Sequence, residues 1–205
     1  PYHALRLADP PPGSTIVVLG TGGIGSNAVQ LAAQRAAHVV AVGRSSSKLT
    51  VARRLGAATT LSSGQTPTQI VNSAGGRVDL VLQCVGSAEM DQLALEIVSP
   101  GGTVVFVGAS PESVVVSSFS LIQSEITIRG SRGFTKQDIR DVISLYRKGS
   151  LTLDHLLTDI RGFGEAGRAF ETIGQSEHMR TVIDPGLALD SIGSSERGAV
   201  HEMAQ

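Results

Sequence analysis

Apolar residues form two kinds of pattern along this chain. Short runs of apolar, mostly β-branched residues predict strands that are covered on both faces. Segments in which apolar residues recur every three or four positions predict amphipathic helices. The predicted strands are residues 15–20, 38–43, 58–61, 78–86, 102–108 and 125–131. The predicted helices are residues 23–37, 45–55, 66–75, 88–98 and 135–148.

The order of these elements predicts the fold class. Strands that alternate with helices at this spacing form a parallel sheet through right-handed crossovers, with helices on both faces. The sequence therefore predicts a doubly wound α/β fold. The residues that we expect to face the core are Ile24, Ala28, Leu31 and Ala32 in the first of these helices, and Ile139, Val142, Ile143 and Tyr146 in the last.

Composition and charge narrow the classes of partner. The 205 residues are 41% hydrophobic and 17% charged, with a formal net charge of -1, so no global positive field favours nucleic acid or an anionic membrane. No apolar stretch approaches the roughly 18 to 20 residues that span a bilayer, and the N-terminus has no signal-peptide pattern. The single cysteine, Cys84, excludes an internal disulfide. We expect a cytoplasmic protein without nucleic-acid or membrane partners.

A glycine-rich turn follows the first predicted strand. Gly20, Gly22 and Gly25 have the G-x-G-x-x-G spacing, and the turn opens a predicted helix within a βαβ unit, which is the context that the motif requires. The first glycine permits the tight turn, the second lets a pyrophosphate approach the backbone, and the third allows the helix to pack closely on its strand. The N–H groups of Gly23, Ile24 and Gly25 then face an anion at the positive end of the helix dipole.

The end of the second predicted strand indicates which dinucleotide is bound. An NAD site has an acidic residue there for the ribose hydroxyls, but this chain has Gly43, Arg44 and Ser45. Gly43 makes room for a 2′-phosphate, Arg44 can lie against the adenine and the phosphate, and Ser45 with Lys48 can hydrogen-bond the phosphate oxygens. The sequence therefore predicts NADP rather than NAD. The absence of an acidic residue at this strand end also argues against a methyltransferase, because the second strand of a methyltransferase normally offers a carboxylate to the ribose of its cofactor.

Neither metal nor thiol chemistry is indicated. The five histidines lack H-x-x-x-H spacing, so we expect each to be a surface or packing residue and expect no metal site. Cys84 ends a predicted core strand, and a thiol in such a position usually serves packing. Neither tyrosine has the Y-x-x-x-K spacing of a short-chain dehydrogenase.

Seven segments, in this order, resemble one family: PYHAL, PPGSTIVVLGTGGIGSNAVQLA, KLTVARRLGA, VDLVLQCVGS, SPGGTVVFVG, ITIRGS and MRTVIDP. Together they are similar to the cofactor-binding, C-terminal portion of medium-chain dehydrogenases/reductases, the zinc-type alcohol dehydrogenase superfamily. The resemblance covers almost all of residues 1–185. It implies a Rossmann fold, a nicotinamide cofactor and, in an intact enzyme, hydride transfer between an alcohol or carbonyl and that cofactor.

The resemblance also implies further cofactor-binding residues, and it implies that catalysis and cofactor binding belong to different domains. The additional residues are Cys84, Val85, Gly86, Val107 and Gly108 in loops after two central strands, Ser131 near the nicotinamide, and Arg180 near the pyrophosphate. In the family the catalytic zinc is held by a preceding catalytic domain, so the resemblance places no catalytic residue and no metal ligand in this chain. We expect cofactor binding with negligible turnover.

The resemblance divides the chain into four parts. Residues 1–11 are expected to be a helical remnant of the inter-domain connection, and residues 12–150 the dinucleotide-binding Rossmann domain. Residues 151–185 would return toward an absent catalytic domain on which they would normally pack, through a helix over residues 163–174 and a strand over residues 180–185. Residues 186–205 would be a flexible tail. The family pairs edge strands across a two-fold axis, so we expect a homodimer through residues 125–130.

Two alternatives remain open at this point. A zinc-free NADPH quinone or enone reductase of the same superfamily would use the same cofactor site without a metal. A non-catalytic nucleotide-sensing module would bind the cofactor and transmit its state to a partner.

Overall fold

The structure, a computed structural model, describes residues 1–35, 37–172 and 178–187. The chain divides into two compact units, Pro1–His155 and Leu156–Gln205. The helices are α1 (Tyr2–Ala8), α2 (Gly23–Ala33), α3 (Ser46–Arg54), α4 (Pro67–Ser73), α5 (Ala88–Ile97), α6 (Ser118–Ser124), α7 (Lys136–Arg147) and α8 (Ala166–Thr172).

The first unit is built on a parallel sheet of six strands in the order β3-β2-β1-β4-β5-β6. The strands are β1 (Thr15–Leu19), β2 (His38–Gly43), β3 (Thr59–Ser62), β4 (Leu80–Gln83), β5 (Thr103–Phe106) and β6 (Thr127–Gly130). The chain builds outward from β1 on one side and then continues with β4 on the other. This arrangement confirms the doubly wound α/β fold, the Rossmann type, with its switch point between β1 and β4.

Both faces of the sheet are buried. Alternate residues of β1 point to opposite faces, so Ile16 and Val18 belong to one hydrophobic cluster and Val17 and Leu19 to the other. Helices α1 and α2 supply the first cluster, and α4 and α5 supply the second. Burial on both faces explains why these strands appear in the sequence as continuous apolar runs.

The second unit contains a pair of strands, only one of which was expected. Strand β7 (Leu157–Gly162) pairs in parallel with β8 (Arg180–Asp184). The expected strand near residue 181 is present, but β7 was not predicted because Asp159 and Arg161, which form an ion pair at 2.8 Å, interrupt its apolar pattern. The expected helix over residues 163–174 is seen as α8, preceded by a 3₁₀ turn, and its last two residues lie outside the described residues. Most of the expected tail, residues 188–205, also lies outside them.

Helix α7 corrects the predicted helical faces. Its side chains Ile139, Ile143 and Tyr146 are 43%, 46% and 48% exposed, although the pattern predicted that they face the core. The face that does turn inward carries Asp138, which is only 2% exposed, together with the half-buried Val142. The same correction applies to Ile24, which is 39% exposed in the first turn of α2.

The orientation of α7 follows from the partners of Asp138. Its carboxylate lies 2.8 Å from His3 Nδ1 and 2.7 Å from Arg6 Nε, both on α1, and it accepts the Thr135 backbone N–H at 2.6 Å. A buried carboxylate needs such partners, so α7 turns Asp138 inward and leaves an apolar stripe exposed. These contacts fasten α1 to α7.

This cluster predicts a loss of stability in acid. Burial alone would raise the pKa of the Asp138 carboxyl, but hydrogen bonds from Thr135 and the nearby Arg6 and His3 lower it to about 2, below the ordinary 3.8. A pKa that is lower in the folded state stabilises the fold above the unfolded value, and this contribution disappears as the pH falls from about 4 to 2. Urea unfolding midpoints should therefore decrease over this range. Asp138→Asn should show a weaker decrease, and equal pH profiles for the two proteins would disprove this role of Asp138.

Candidate functional site

The carboxyl ends of five strands meet at one edge of the sheet in the first unit. Near this edge, one residue from each of the five strands lies in register with its neighbours across the sheet. These residues are Leu19, Val42, Gln83, Phe106 and Gly130. The next residues along these strands are Gly20, Gly43, Cys84, Val107 and Ser131. In open α/β sheets, ligands bind in the crevice outside the carboxyl ends of the strands, at the switch point. The sequence segments that were proposed as a cofactor site in this unit are therefore neighbours along one edge.

Gly20 makes the tight turn after β1. Its φ of +95° lies in the region that only glycine adopts readily, and a Cβ there would lie 2.7 Å from Val85 Cγ2. The Gly20 N–H donates to the Val42 carbonyl at 2.8 Å, which fixes the turn beside the end of β2. The loop after β4 and the end of β2 thus both contact the glycine-rich turn.

The turn leads directly into helix α2. The first helical hydrogen bond runs from the Ser26 N–H to the Gly22 carbonyl at 2.9 Å. The N–H groups of Gly23, Ile24 and Gly25 therefore precede the first bond of the helix, at its positive end. Such an arrangement can hold an anionic group by backbone donors alone.

The two remaining glycines of the motif have opposite surroundings. Gly22 is exposed, and a Cβ on it would meet nothing within 4 Å. Gly25 is buried, and a Cβ on it would overlap the Gly20 carbonyl oxygen and lie 2.8 Å from the Gly20 carbonyl carbon. The turn is therefore open to solvent at Gly22. At Gly25 it is closed, because α2 packs directly against the end of β1.

The end of β2 places three of the proposed residues beside this turn. Gly43 is buried against Thr21, Arg44 is exposed, and Ser45 caps α3 by accepting the Lys48 N–H at 3.4 Å. The Ser45 hydroxyl thus stabilises the start of α3. Ser45 and Lys48 both lie at the first turn of this helix. The structure brings Arg44 to the carboxyl edge of the sheet.

A residue that the sequence reasoning missed organises the loop after β4. Gln83 is fully buried, and its Oε1 accepts the N–H groups of Val85 and Gly86 at 3.0 and 3.2 Å. Its Nε2 donates to Asp91 Oδ1 at 2.5 Å. Burial raises the pKa of Asp91, while this hydrogen bond opposes the increase. The signal in the sequence was a single glutamine within the apolar run over residues 78–86.

The Gln83 backbone also joins the loops after β4 and β5. Its carbonyl accepts the N–H groups of Val107 and Gly108, both at 2.9 Å. Ser131 follows β6 and donates its N–H to the Phe106 carbonyl at 2.9 Å. Gln83 therefore fixes four of the residues that the family resemblance implied for the site.

Cys84 lies at the same edge, where burial opposes ionisation of its thiol. Burial raises the pKa of its thiol to about 12, so the thiolate, which is the nucleophilic form, is scarce near neutral pH. The packing interpretation of Cys84 agrees with this environment. Arg180, the remaining proposed residue, begins β8 in the second unit and is exposed.

The described parts of the chain contain neither a cluster of metal-binding side chains nor a helix that could span a membrane. Across residues 1–35, 37–172 and 178–187, no three His, Cys, Asp or Glu side chains lie where they could share a metal ion. The side chains in these ranges therefore do not fit a catalytic zinc. No helix in the same ranges has the length and apolar character that crossing a membrane requires.

Comparisons with known proteins support this fold. The sequence profile of zinc-binding dehydrogenases matches residues 23–148. An alcohol dehydrogenase from Moraxella sp. (strain TAE123) is 34% identical over 152 residues, which is 73% of this chain and 45% of that protein. Other matched relatives are covered over 50% and 54% of their length, so the chain spans about half the length of the curated relatives it matches.

Two solved structures extend the comparison. A protein from Sinorhizobium meliloti 1021, described as a zinc-binding dehydrogenase and solved bound to NADP, is 27% identical with a TM-score of 0.80 and is matched over 89% of this chain and 56% of its own. Acetophenone reductase from Geotrichum candidum NBRC 4597, solved in complex with NAD, is 29% identical with a TM-score of 0.75 over 89% of this chain and 51% of its own.

Proposed function

From the premise that the chain belongs to the zinc-binding dehydrogenase family, we propose that it is the NADP(H)-binding portion of an oxidoreductase of the alcohol dehydrogenase type. A bound nicotinamide accepts or donates a hydride. The residues of this chain would bind and orient that cofactor. Relatives named alcohol dehydrogenase and D-xylulose reductase support hydride exchange between an alcohol and a carbonyl as the reaction of the intact enzyme.

One observation carries the proposal. At the switch point of the sheet, the exposed Gly22 leaves the start of α2 open to an anionic ligand, while Gly20 and Gly25 are in close contact with neighbouring protein atoms. We assign the pyrophosphate to the N–H groups of Gly23, Ile24 and Gly25. The loops fixed by Gln83 would flank the cofactor beyond the pyrophosphate.

The preference for NADP is a finer proposal. Solved relatives hold NADP in one case and NAD in another, so the preference depends on this chain's own residues. Position 43 carries no carboxylate to receive ribose hydroxyls or repel a 2′-phosphate. The exposed Arg44 guanidinium supplies a cation at the same strand end.

Calorimetric titration with NADPH and NADH tests this preference. The unmodified chain should bind NADPH more tightly, and Arg44→Ser should weaken NADPH binding about tenfold, because a charge-assisted hydrogen bond contributes about 1.5 kcal/mol. NADH affinity should change little, since NADH lacks the phosphate. Arg54→Ser, which removes another exposed arginine farther along α3, is the matched control. A preference of the unmodified chain for NADH would refute the phosphate site.

A homodimer through β6 is a further part of the proposal. Strand β6 is an edge of the sheet, and its Thr127 and Ser131 N–H groups bond inward to the neighbouring strand. The alternate residues Ile128 and Gly130 therefore direct their N–H groups to the open edge. An unpaired edge of this kind can pair with a second copy.

Sedimentation equilibrium tests the dimer. The unmodified chain should sediment as a dimer, and Gly130→Pro should shift it toward monomer because proline removes an outward N–H. Gly130→Ala is the matched control, since it keeps the N–H and its Cβ would meet nothing within 4 Å. A chain that is monomeric at every concentration would contradict the proposed interface.

A further inference from the structure

We propose that Thr21 is a specificity-determining residue for the cofactor. Its side chain fills the space at the end of β2 in which an acidic side chain would have to begin, and so it keeps position 43 as glycine. This inference rests on the proposed NADP(H) function. It adds Thr21, which lies in the glycine-rich turn, to Gly43 and Arg44 as a residue on which the preference for a 2′-phosphate depends.

The contact between these residues is direct. Thr21 lies between the first two glycines of the motif and is 4% exposed. A Cβ on Gly43 would overlap Thr21 Oγ1 and lie 3.1 Å from Thr21 Cγ2 and 3.2 Å from Thr21 Cβ. Every residue other than glycine has this Cβ, so the conflict arises before any carboxylate is placed. A β-branched side chain is restricted at χ1, so rotation of Thr21 away from the contact is limited, whereas alanine at position 21 would remove both Oγ1 and Cγ2.

Neither backbone can easily move apart to relieve the conflict. Gly43 is paired in register with Ser62, and its carbonyl accepts the Ser63 N–H at 2.9 Å. On the other side, the Gly20 N–H is bonded to Val42, the residue before Gly43. The glycine-rich turn and the end of β2 are thus held together immediately next to the contact. Close-packed interiors tolerate an added methyl group poorly under such constraints.

The contact between Thr21 and Gly43 limits which substitutions can change the cofactor preference from NADPH to NADH. An acid at position 43 would favour the ribose hydroxyls of NAD and repel a 2′-phosphate. With Thr21 present, Gly43→Asp introduces a clash as well as a charge. A switch toward NADH therefore requires that Thr21 become smaller at the same time, and the two substitutions should be strongly non-additive.

The steric conflict between Thr21 and a side chain at position 43 is tested without nucleotide. Urea unfolding midpoints are compared for the unmodified chain, Gly43→Ala, Thr21→Ala and the double variant Thr21→Ala/Gly43→Ala. Gly43→Ala should lower the midpoint clearly in the original background and by less than half as much in the Thr21→Ala background. Thr21→Val keeps the branched shape without the hydroxyl, so it should not rescue Gly43→Ala. An equal loss in the Thr21 and Thr21→Ala backgrounds would overturn the inference.

The specificity half is tested by calorimetry with NADPH and NADH. The ratio of the two dissociation constants should move at least tenfold toward NADH in Thr21→Ala/Gly43→Asp and much less in Gly43→Asp alone. A Gly43→Asp protein that does not fold, beside a double variant that folds, also supports the inference. An equal shift in both variants would overturn it. If the unmodified chain binds neither nucleotide, the proposed function fails, while the unfolding comparison still decides whether Thr21 excludes a side chain at position 43.

Discussion

Gly22→Ala is expected to abolish most dinucleotide binding while leaving the fold intact. The added methyl group meets nothing within 4 Å in the protein itself, and the backbone at Gly22, with φ −73° and ψ −166°, is extended and open to any residue. Its only conflict is with a ligand that approaches the turn. A pyrophosphate kept away from the start of α2 loses charge-assisted hydrogen bonds from the backbone.

The expected sizes of the two effects differ strongly. Loss of two such bonds would cost about 3 kcal/mol, which corresponds to roughly a hundredfold weaker binding. The cost to folding should be about 1 kcal/mol, because alanine is a poorer N-cap than glycine. Titration with NADPH measures the first quantity and urea unfolding the second. Unchanged affinity in the Gly22→Ala protein would place the cofactor elsewhere on the molecule.

Gly25→Ala, three residues later, is expected to damage the fold itself. Alanine normally stabilises a helix by about 1 kcal/mol relative to glycine. Here its Cβ would overlap the Gly20 carbonyl oxygen, and backbone atoms can yield only if α2 moves away from β1. Overpacking against backbone should cost about 3 kcal/mol, a large part of the 5 to 15 kcal/mol that stabilises a typical domain.

Urea unfolding without nucleotide measures this effect. Gly22→Ala is the matched control, since it adds the same methyl group to the same turn on the open side. The Gly25→Ala midpoint should decrease well below that of the control. A Gly25→Ala protein as stable as Gly22→Ala would show that the contact between helix and strand is looser than the structure indicates.

The sheet and the glycine-rich turn were predictable because their causes are local. Buried parallel strands read as continuous apolar runs, so β1, β2, β4 and β5 were found within a few residues of their ends. The predicted strand over residues 78–86 is longer than β4 because its last residues leave the ladder and form the loop that Gln83 holds. Helix α6 was missed because none of its residues is buried and it has no inward apolar pattern.

By itself, the sequence determined the fold class, the order of its elements and the position of the glycine-rich turn, because periodicity and turn chemistry depend on neighbours along the chain. Only the tertiary structure decided which face of α7 is buried, since Asp138 takes its partner His3 from 135 residues away. It also decided the task of Gln83 and the contact of Thr21 with Gly43. Such contacts depend on which strands and helices become neighbours in the fold. The spacing of residues within one segment does not contain this information.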